Sequence, residues 1–207
     1  MKNLIVLICA ISLLSGCSTF YLNKGMKAPN RGFADRLPNM EAVFSNEDSL
    51  KNFTSEDNFL QVNNPMANRF YREVETNLID EYDEEEKKGY LVLKPIIITS
   101  ADKSIPYIIL GAFTLLTAPL LGAPMGVFEG FSELELRVLN SNGKLVKKYV
   151  AEAVVKNKIG AYYGGCNNWN SNQNCLDKAS WDAYEKALSD VIEQVYRDRT
   201  YLRKKLN

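Results

Sequence analysis

Histidine is absent from all 207 residues of the chain, and its absence removes the commonest catalytic designs. A serine–histidine–aspartate relay and an imidazole base working near neutral pH both need that side chain. The glycine-rich phosphate-binding pattern, the Gly-x-Ser-x-Gly turn and the His-Glu-x-x-His zinc motif are missing as well. Carboxylate pairs occur only within polar runs. We therefore expect a protein that is not an enzyme and that holds neither a metal nor a cofactor.

A basic excess is missing too, because 25 Lys and Arg residues face 25 Asp and Glu residues. Proteins that bind nucleic acids draw much of their affinity from cationic side chains that neutralise phosphates. The balanced charge therefore argues against a nucleic acid partner. The length of the chain suits one domain of ordinary size with a core of its own.

The first seventeen residues, MKNLIVLICAISLLSGC, have the pattern of an export signal. Lys2 precedes an apolar run from Leu4 to Leu14, and small residues follow. A short positive segment, an apolar core of about 7–15 residues and small residues before the cleavage site define such signals. The run is too short for the roughly 20 residues that a membrane span needs. We predict that residues 1–16 are a signal peptide.

The motif Leu14-Ser15-Gly16-Cys17 resembles the lipobox of bacterial lipoproteins. The resemblance implies cleavage before Cys17, a diacylglyceryl group on the Cys17 sulfur and a further acyl chain, such as palmitate, on its amino group. Two or more chains give stable membrane attachment. Ser18 after the cysteine resembles the outer-membrane sorting pattern. In a host with two membranes, the resemblance thus implies an outer-membrane lipoprotein that faces the periplasm.

Two cysteines remain once Cys9 leaves with the signal and Cys17 carries lipid. These are Cys166 and Cys175, which enclose the polar loop NNWNSNQN. An exported compartment can oxidise thiols, and a disulfide would stabilise the loop by a few kcal/mol at most. Their spacing is not Cys-x-x-Cys, which argues against a redox or metal pair. We predict a disulfide between Cys166 and Cys175.

After the signal, the pattern predicts a tether over residues 17–40 and a single domain over residues 41–207. The tether mixes Gly, Pro, Asn and scattered charge without periodicity. At the start of the domain, one of two short apolar stretches, Met40–Phe44 or Phe59–Val62, is expected to form an edge strand.

Two amphipathic helices are predicted from apolar residues at helical spacing. The first begins at Asn64-Pro65, where the Asn side chain caps free N–H groups, and ends within Asp80–Glu86. Its apolar stripe is Ala67, Phe70, Tyr71, Val74, Leu78 and Tyr82. The second is a long final helix capped by Asp177. Its stripe is Trp181, Tyr184, Leu188, Val191, Ile192, Val195 and Leu202.

The stretch Tyr90–Ser100 predicts a strand, because both of its alternating faces are apolar apart from Lys94. Pro95 cannot donate to a neighbouring strand, so a bulge or an edge position is expected there. A second strand is predicted over Phe131–Asn140, where apolar and charged residues alternate.

The dipeptide Asn142-Gly143 predicts a tight turn that leads into a third strand, Lys144–Lys156. A two-residue loop would place Arg137 opposite Lys148, and Glu133 opposite Glu152, so that like charges repel. A three-residue loop with a bulge at Gly143 would relieve both. The sequence leaves this register open.

The segment Ile105–Phe128 contains no charged residue over 24 positions. Its length alone would allow a membrane span, but three prolines and three glycines break it into a helical piece near Tyr107–Ala118 and a shorter apolar piece. We expect a broken apolar hairpin. Either it dips into the leaflet that holds the lipid, or it covers an apolar face of the domain.

The order of these elements predicts an α+β fold: a small, mainly antiparallel sheet with its helices packed on one face, plus the broken hairpin. The apolar segment, a strand, an Asn-Gly-Lys turn and a second strand together resemble small uncharacterised lipoproteins of bacterial envelopes. From Tyr90 to Val195 the layout is more distantly similar to the curli-secretion and penicillin-binding-protein-activator lipoproteins. That likeness transfers no functional residue.

Together these features predict a lipid-anchored envelope protein that acts as a non-enzymatic binding or assembly component of a cell-envelope complex. Its expected partners are another envelope protein and the membrane, which it contacts through the lipid on Cys17 and, if the segment inserts, through Ile105–Phe128. The alternative is a membrane-inserting or pore-contributing oligomeric subunit that uses residues 105–128. A hydrolase that uses carboxylates is the third hypothesis.

Overall fold

The computed structural model describes residues 36–45, 64–80, 87–114, 117–160, 163–164 and 172–206. The strands in these ranges are β1 (Glu41–Phe44), β2 (Gly89–Asp102), β3 (Gly126–Asn140), β4 (Leu145–Gly160) and β5 (Tyr163–Gly164). The helices are α1 (Pro65–Asn77), α2 (Ile105–Phe113), α3 (Thr117–Leu120), α4 (Asn172–Arg197) and α5 (Arg199–Leu206). The predicted signal peptide, Cys17, Cys166 and most of the predicted tether lie outside the described residues.

The five strands form one sheet in the order β1-β2-β3-β4-β5. β2, β3 and β4 are antiparallel neighbours, and β5 adds two residues to the edge beside β4. β1 joins the other side of β2 in parallel. The edge strand predicted in one of the two apolar stretches is therefore found in Met40–Phe44, whereas Phe59–Val62 lies outside the described residues.

Helices α1, α4 and α5 cover one face of this sheet. The side chains of β2 and β3 that point toward them are fully buried: Leu91, Leu93, Leu134, Leu136 and Val138. These side chains form one core cluster with the apolar stripes of the three helices. The predicted α+β fold, with a mainly antiparallel sheet and its helices on one face, is confirmed.

Helix α4 lies close to the sheet because small side chains face β3. Ala179, Ala183 and Ala187 follow one another at intervals of four residues, so they share one side of the helix, and all three are fully buried. Opposite Ala179, strand β3 carries Gly130. A Cβ atom at Gly130 would lie 1.9 Å from the carbonyl oxygen of Ala179, so only glycine permits this approach of helix to strand.

Helix α1 begins as the sequence predicts. The Asn64 side-chain oxygen accepts hydrogen bonds from the backbone N–H groups of Met66 (2.9 Å) and Ala67 (3.4 Å). Pro65 occupies the first turn, where its missing N–H costs nothing. Local chemistry alone therefore explains where this helix starts.

The end of α1 differs from the prediction, which placed it within Asp80–Glu86. The helix stops at Asn77, and Ile79 forms a parallel bridge with Leu37 instead. Both side chains of this bridge are buried in the core. The bridge joins residues 42 positions apart, so the local apolar pattern could not reveal it.

The final helix also differs from the prediction, which began it at the Asp177 cap. α4 already begins at Asn172, and it ends at Arg197, where α5 follows after a single residue. The early start places Cys175 in a buried cluster with Phe128 and Ala179. The predicted apolar stripe is confirmed, with Trp181 half-buried and the other members buried: Tyr184, Leu188, Val191, Ile192, Val195 and Leu202.

Pro95 interrupts β2 as predicted, because the pairing of β2 with β3 shifts between Pro95 and Ile97. The pairing of β1 with β2 ends at Leu93. The second half of β2 therefore pairs with β3 and receives no strand from β1. The proline satisfies both expectations, a bulge and a half-strand beyond the reach of β1.

The β3–β4 hairpin adopts the register in which like charges oppose each other. Glu133 lies opposite Glu152, and Arg137 lies opposite Lys148. A register shift does occur, but between Val138 and Leu139, where it leaves both charged pairs in place. The turn itself contains Gly143 at a φ of 74°, in the left-handed region that glycine favours.

Glu135 compensates for the opposed cations. Its carboxylate accepts a hydrogen bond from Arg137 Nε on its own strand and pairs with Lys148 Nζ on β4 at 3.2 Å. Burial would raise the pKa of this carboxyl, but the hydrogen bonds from Arg137 and Lys148 outweigh burial and hold the pKa below its ordinary value. One carboxylate thus makes the cation pair tolerable on the sheet face that carries no helix.

Replacing Gly130 by Ala should destabilise the domain by at least about 2 kcal/mol, because the new methyl group overlaps the α4 backbone at Ala179. Ser132→Ala is the matched control. The Ser132 hydroxyl is buried without a hydrogen-bond partner in the part of the chain that the structure describes. Its removal should be neutral or stabilising by up to about 1 kcal/mol. Urea unfolding measures both, and a Gly130→Ala variant as stable as Ser132→Ala would contradict the close approach.

Replacing Glu135 by Gln should cost about 1–3 kcal/mol at neutral pH, because Arg137 and Lys148 then oppose each other without a carboxylate between them. The folded pKa of Glu135 is the lower one. Its stabilisation is therefore present above the pKa of the unfolded carboxyl and is lost as the pH falls. Urea unfolding at pH 7 and pH 3 measures the loss, which should shrink at pH 3.

The matched control for Glu135→Gln is Glu133→Gln on the same strand. Glu133 faces Glu152, so neutralising it removes a repulsion and should be neutral or stabilising. Equal losses of stability in the two variants would show that Glu135 has no special role in the register.

Candidate functional site

The charge-free segment forms a hairpin of two helices between β2 and β3. We call residues 105–114 and 117–123 the apolar hairpin; it contains α2, α3 and the turn that follows. The helical piece predicted near Tyr107–Ala118 is divided between α2 and α3. The last three residues of the predicted segment, Gly126–Phe128, already belong to β3.

Most large apolar side chains of the apolar hairpin face solvent. Phe113 is 85 % exposed and Leu121 is 83 % exposed. Five more are between 44 % and 69 % exposed: Ile105, Ile108, Ile109, Leu110 and Leu120. Of the two interpretations left open by the sequence, the one in which these side chains cover an apolar face of the domain is wrong. Exposed apolar side chains in such number are unusual on a domain surface and make the hairpin a candidate interaction site.

The exposed side chains of α2 extend around much of the helix. At 100° per residue, the arc from Ile108 through Ile105 and Phe113 to Leu110 covers about 200°. A helix that packs on a domain usually buries a stripe about 100° wide. In α2 the buried residue is Gly111. No helix among the described residues is long and apolar enough to cross a membrane.

Polar groups within the apolar hairpin bond to one another. The Thr114 hydroxyl donates to the Leu110 carbonyl (2.8 Å), and the Thr117 hydroxyl donates to the Thr114 carbonyl (2.7 Å). The chain reverses with backbone hydrogen bonds from Leu121 N to Thr117 O (3.0 Å) and from Ala123 N to Ala118 O (2.9 Å). These hydrogen bonds pair the hydroxyl groups of Thr114 and Thr117 and part of the backbone within the hairpin itself.

A buried serine fixes the base of the apolar hairpin to β3. The Ser104 N–H donates to the Asp102 carboxylate (2.8 Å), and the Ser104 hydroxyl oxygen accepts from Val127 N (3.1 Å). A Cβ atom at Gly126 would lie 2.8 Å from the Ser104 hydroxyl oxygen. The absence of a side chain at Gly126 therefore allows Ser104 to lie against the start of β3. On the other side, Met125 N donates to the Ile159 carbonyl (2.7 Å).

Charged side chains lie around this base. Lys103 and Lys158 are exposed and flank Val127 on either side, in β2's continuation and in β4. Lys156 pairs with Glu129 at 3.2 Å one step further into the sheet. Two exposed lysines therefore lie where the apolar hairpin joins the sheet.

A second polar cluster lies at the opposite end of the domain, where α4 meets α5. The Asp198 carboxylate accepts hydrogen bonds from Lys147 Nζ and from the Tyr149 hydroxyl (3.0 Å). The bond from Lys147 holds the pKa of Asp198 below its usual range, and burial raises the pKa of Tyr149. A groove of about 330 Å³ lies beside it. These contacts tie Asp198, the residue between α4 and α5, to β4. Within this cluster, Lys147, Tyr149 and Asp198 are therefore all paired.

Sequence-predicted site residues are only partly described. Cys17 and Cys166 lie outside the described residues, so the lipid attachment and the disulfide stay predictions. Cys175 is buried in the first part of α4, beside Phe128. Among described residues, no group of three or more Cys, Asp or Glu side chains is placed to hold a metal ion. Ser104, which fixes the hairpin, gave no signal in the sequence because its role depends on Val127.

Neither a family model nor a curated protein matches the chain. A predicted lipoprotein of Caulobacter crescentus CB15 is similar at 13 % identity and a TM-score of 0.33, covering 68 % of this chain and 80 % of that chain. A minor lipoprotein of Acinetobacter baumannii is similar at 9 % identity and a TM-score of 0.33, covering 82 % and 92 %. Likenesses this weak carry no argument about fold or function.

Proposed function

We propose that the protein is a lipid-anchored component of the cell envelope that works by binding rather than by catalysis, with the apolar hairpin as its binding element. The exposed position of the hairpin is the observation that carries this proposal. Removing Phe113 and Leu121 from water would be favourable, and both side chains are more than four-fifths exposed on the domain. A partner that binds the apolar hairpin would remove these side chains from water.

The anchor in this proposal rests on the motif Leu14-Ser15-Gly16-Cys17. Lipid on Cys17 would hold the chain at a membrane, and in a host with two membranes Ser18 favours the outer membrane with the domain in the periplasm. From Cys17 to Arg36 the chain reaches roughly 65 Å when fully extended. The domain can therefore turn the apolar hairpin either toward the membrane or away from it.

Export also supports the proposed disulfide between Cys166 and Cys175. A bridge there would hold the loop before α4 against the first turns of that helix, where Cys175 packs on Phe128. Alkylation of the exported chain before and after reduction tests it by mass. Two alkylated thiols before reduction would refute the bridge.

A binding role rather than catalysis is supported by the described carboxyl groups with shifted pKa values, because their contacts stabilise the fold. The two carboxyl groups with lowered pKa values, Glu135 and Asp198, are each held by cations in contacts that fix the fold. Glu135 is buried in the sheet. Asp198, although it lines the groove of about 330 Å³, is paired with Lys147 and Tyr149, whereas a catalytic carboxylate must be free to act on a substrate. We therefore retain the proposal that the protein is not an enzyme.

An oligomeric, membrane-inserting subunit is the second candidate, and the absence of charge in the apolar hairpin favours it. With nine residues, α2 is only about 14 Å long, whereas the hydrocarbon core of a bilayer is about 30 Å thick. A pore would therefore need many copies and a rearrangement of the hairpin. Detergent-resistant rings would favour this candidate over a binding component.

Fractionation of cells tests the proposed function. Residues 1–17 are replaced by a cleavable signal that leaves no lipid, because mutation of Cys17 alone would leave an uncleaved signal as an anchor. After a wash at neutral pH and physiological salt, the lipid-free chain should still sediment in part with membranes. The hairpin variant Ile109→Ser, Phe113→Ser, Leu121→Ser should be released, because its apolar contact is lost.

The matched control carries serine at three other half-exposed apolar positions: Leu145, Val154 and Tyr201. This control variant should sediment like the unmodified lipid-free chain. Full release of the lipid-free chain with the hairpin intact would contradict the proposed role of the hairpin, because lipid alone would then hold the protein. Equal sedimentation of the hairpin variant and the control would contradict it as well.

A further inference from the structure

We infer that the occupant of the apolar hairpin is a lipid bilayer, and that α2 lies in the leaflet that holds the lipid on Cys17. This inference rests on the proposed function and names the partner of the same site. The hairpin would give the domain a second attachment to the membrane, so that the sheet is held in one orientation. Four features of the hairpin favour lipid over a protein partner.

The first feature is the distribution of exposed side chains around α2. From Ile108 to Leu110 they cover about 200° of the helix circumference. A protein groove that bound this surface would have to enclose the helix on more than one side. Hydrocarbon chains surround an inserted helix without any such shape, so lipid satisfies the whole arc at once.

The second feature is the internal pairing of two hydroxyl groups. Thr114 and Thr117 donate their hydroxyl protons to carbonyls of the hairpin, at 2.8 Å and 2.7 Å. Pro106 and Pro119 have no N–H to satisfy. In hydrocarbon an unpaired polar group is costly, whereas in water or in a polar interface it is not. These two bonds lower the cost of placing the Thr114 and Thr117 hydroxyl groups in lipid.

The third feature is size. α2 has nine residues and is about 14 Å long, and amphipathic helices at a membrane interface bury their apolar side about 5–10 Å deep. The hairpin therefore fits within one leaflet without crossing the bilayer. The chain between Cys17 and Arg36, at roughly 65 Å when extended, allows the hairpin to reach the leaflet that holds the lipid.

The fourth feature is the charge at the base. Lys103 and Lys158 are exposed beside Val127, where the hairpin leaves the sheet. When α2 lies in hydrocarbon, these ammonium groups are at the level of the lipid head groups and favour anionic lipids. The Asp102 carboxylate, which neighbours Lys103 in sequence, accepts a hydrogen bond from Ser104 N.

Vesicle flotation tests this inference on the chain from residue 18 to residue 207, which has no lipid and keeps every described residue. The vesicles contain phosphatidylethanolamine and phosphatidylglycerol at three to one, or phosphatidylcholine alone. The chain should float with both, and more strongly with the anionic vesicles. Ile109→Ser, Phe113→Ser, Leu121→Ser should lower the vesicle partition coefficient at least tenfold.

Two further variants complete the design. The control with serine at positions 145, 154 and 201 should float like the parent. Lys103→Gln, Lys158→Gln should lose the preference for anionic vesicles, by about fivefold or more, and retain binding to phosphatidylcholine. Because all altered side chains are exposed, circular dichroism and urea unfolding should show every variant folded like the parent.

Failure of the inference can be separated from failure of the proposed function. If the parent does not float while sedimentation in cells still depends on the hairpin, the occupant is a protein and the bilayer is excluded. If the purified parent is a dimer that the hairpin variant converts to monomer, with no binding to vesicles, the occupant is a second copy. Equal flotation of the hairpin variant and the parent would also overturn the inference.

Discussion

The contact between Gly130 of β3 and Ala179 of α4 is the constraint on which the arrangement of the domain depends. Because no side chain lies between them, the helix rests directly on the strand, and a Cβ at Gly130 would lie 1.9 Å from the Ala179 carbonyl oxygen. Two residues before Gly130, Phe128 packs with Cys175 and Ala179. The start of β3, where the apolar hairpin is attached through Ser104, is therefore held from the helical side.

The two faces of the sheet differ in their side chains. The face under α1, α4 and α5 contains the core, whereas the other face carries charged rows on β3 and β4. There the register opposes like charges, and Glu135 offsets the cationic pair through contacts with Arg137 and Lys148. The apolar hairpin connects the end of β2 to the start of β3, at one end of this sheet. Its exposed side chains are thus a consequence of where β2 and β3 are joined.

Local patterns were sufficient for the parts of the fold that local chemistry determines. The Asn64 cap, the interruption of β2 at Pro95, the alternation in β3 and the stripe of α4 all follow from spacing. The end of α1 does not, because Ile79 leaves the helix to pair with the distant Leu37. The alanine positions of α4 carry little apolar signal, so their close approach to Gly130 was not visible either.

The sequence located the uncharged segment of the candidate site but did not show whether its side chains are exposed. An uncharged run with prolines and glycines is compatible with burial in a core, with a protein interface and with lipid. Only the fold decides that α1, α4 and α5 cover the sheet and leave Phe113 and Leu121 exposed. The fastening through Ser104 and Val127 joins residues 23 positions apart, and no local motif marks it.

Hydroxyl-radical footprinting of the monomeric, lipid-free chain, without membranes, tests most directly whether the domain displays the apolar hairpin. The fold predicts that Phe113 and Leu121 are oxidised at least as fast, relative to their intrinsic reactivities, as half-exposed Tyr201 and Leu145, while buried Phe70 is protected. Protection of Phe113 and Leu121 to the level of Phe70 would contradict the account, because the hairpin would then be part of the core.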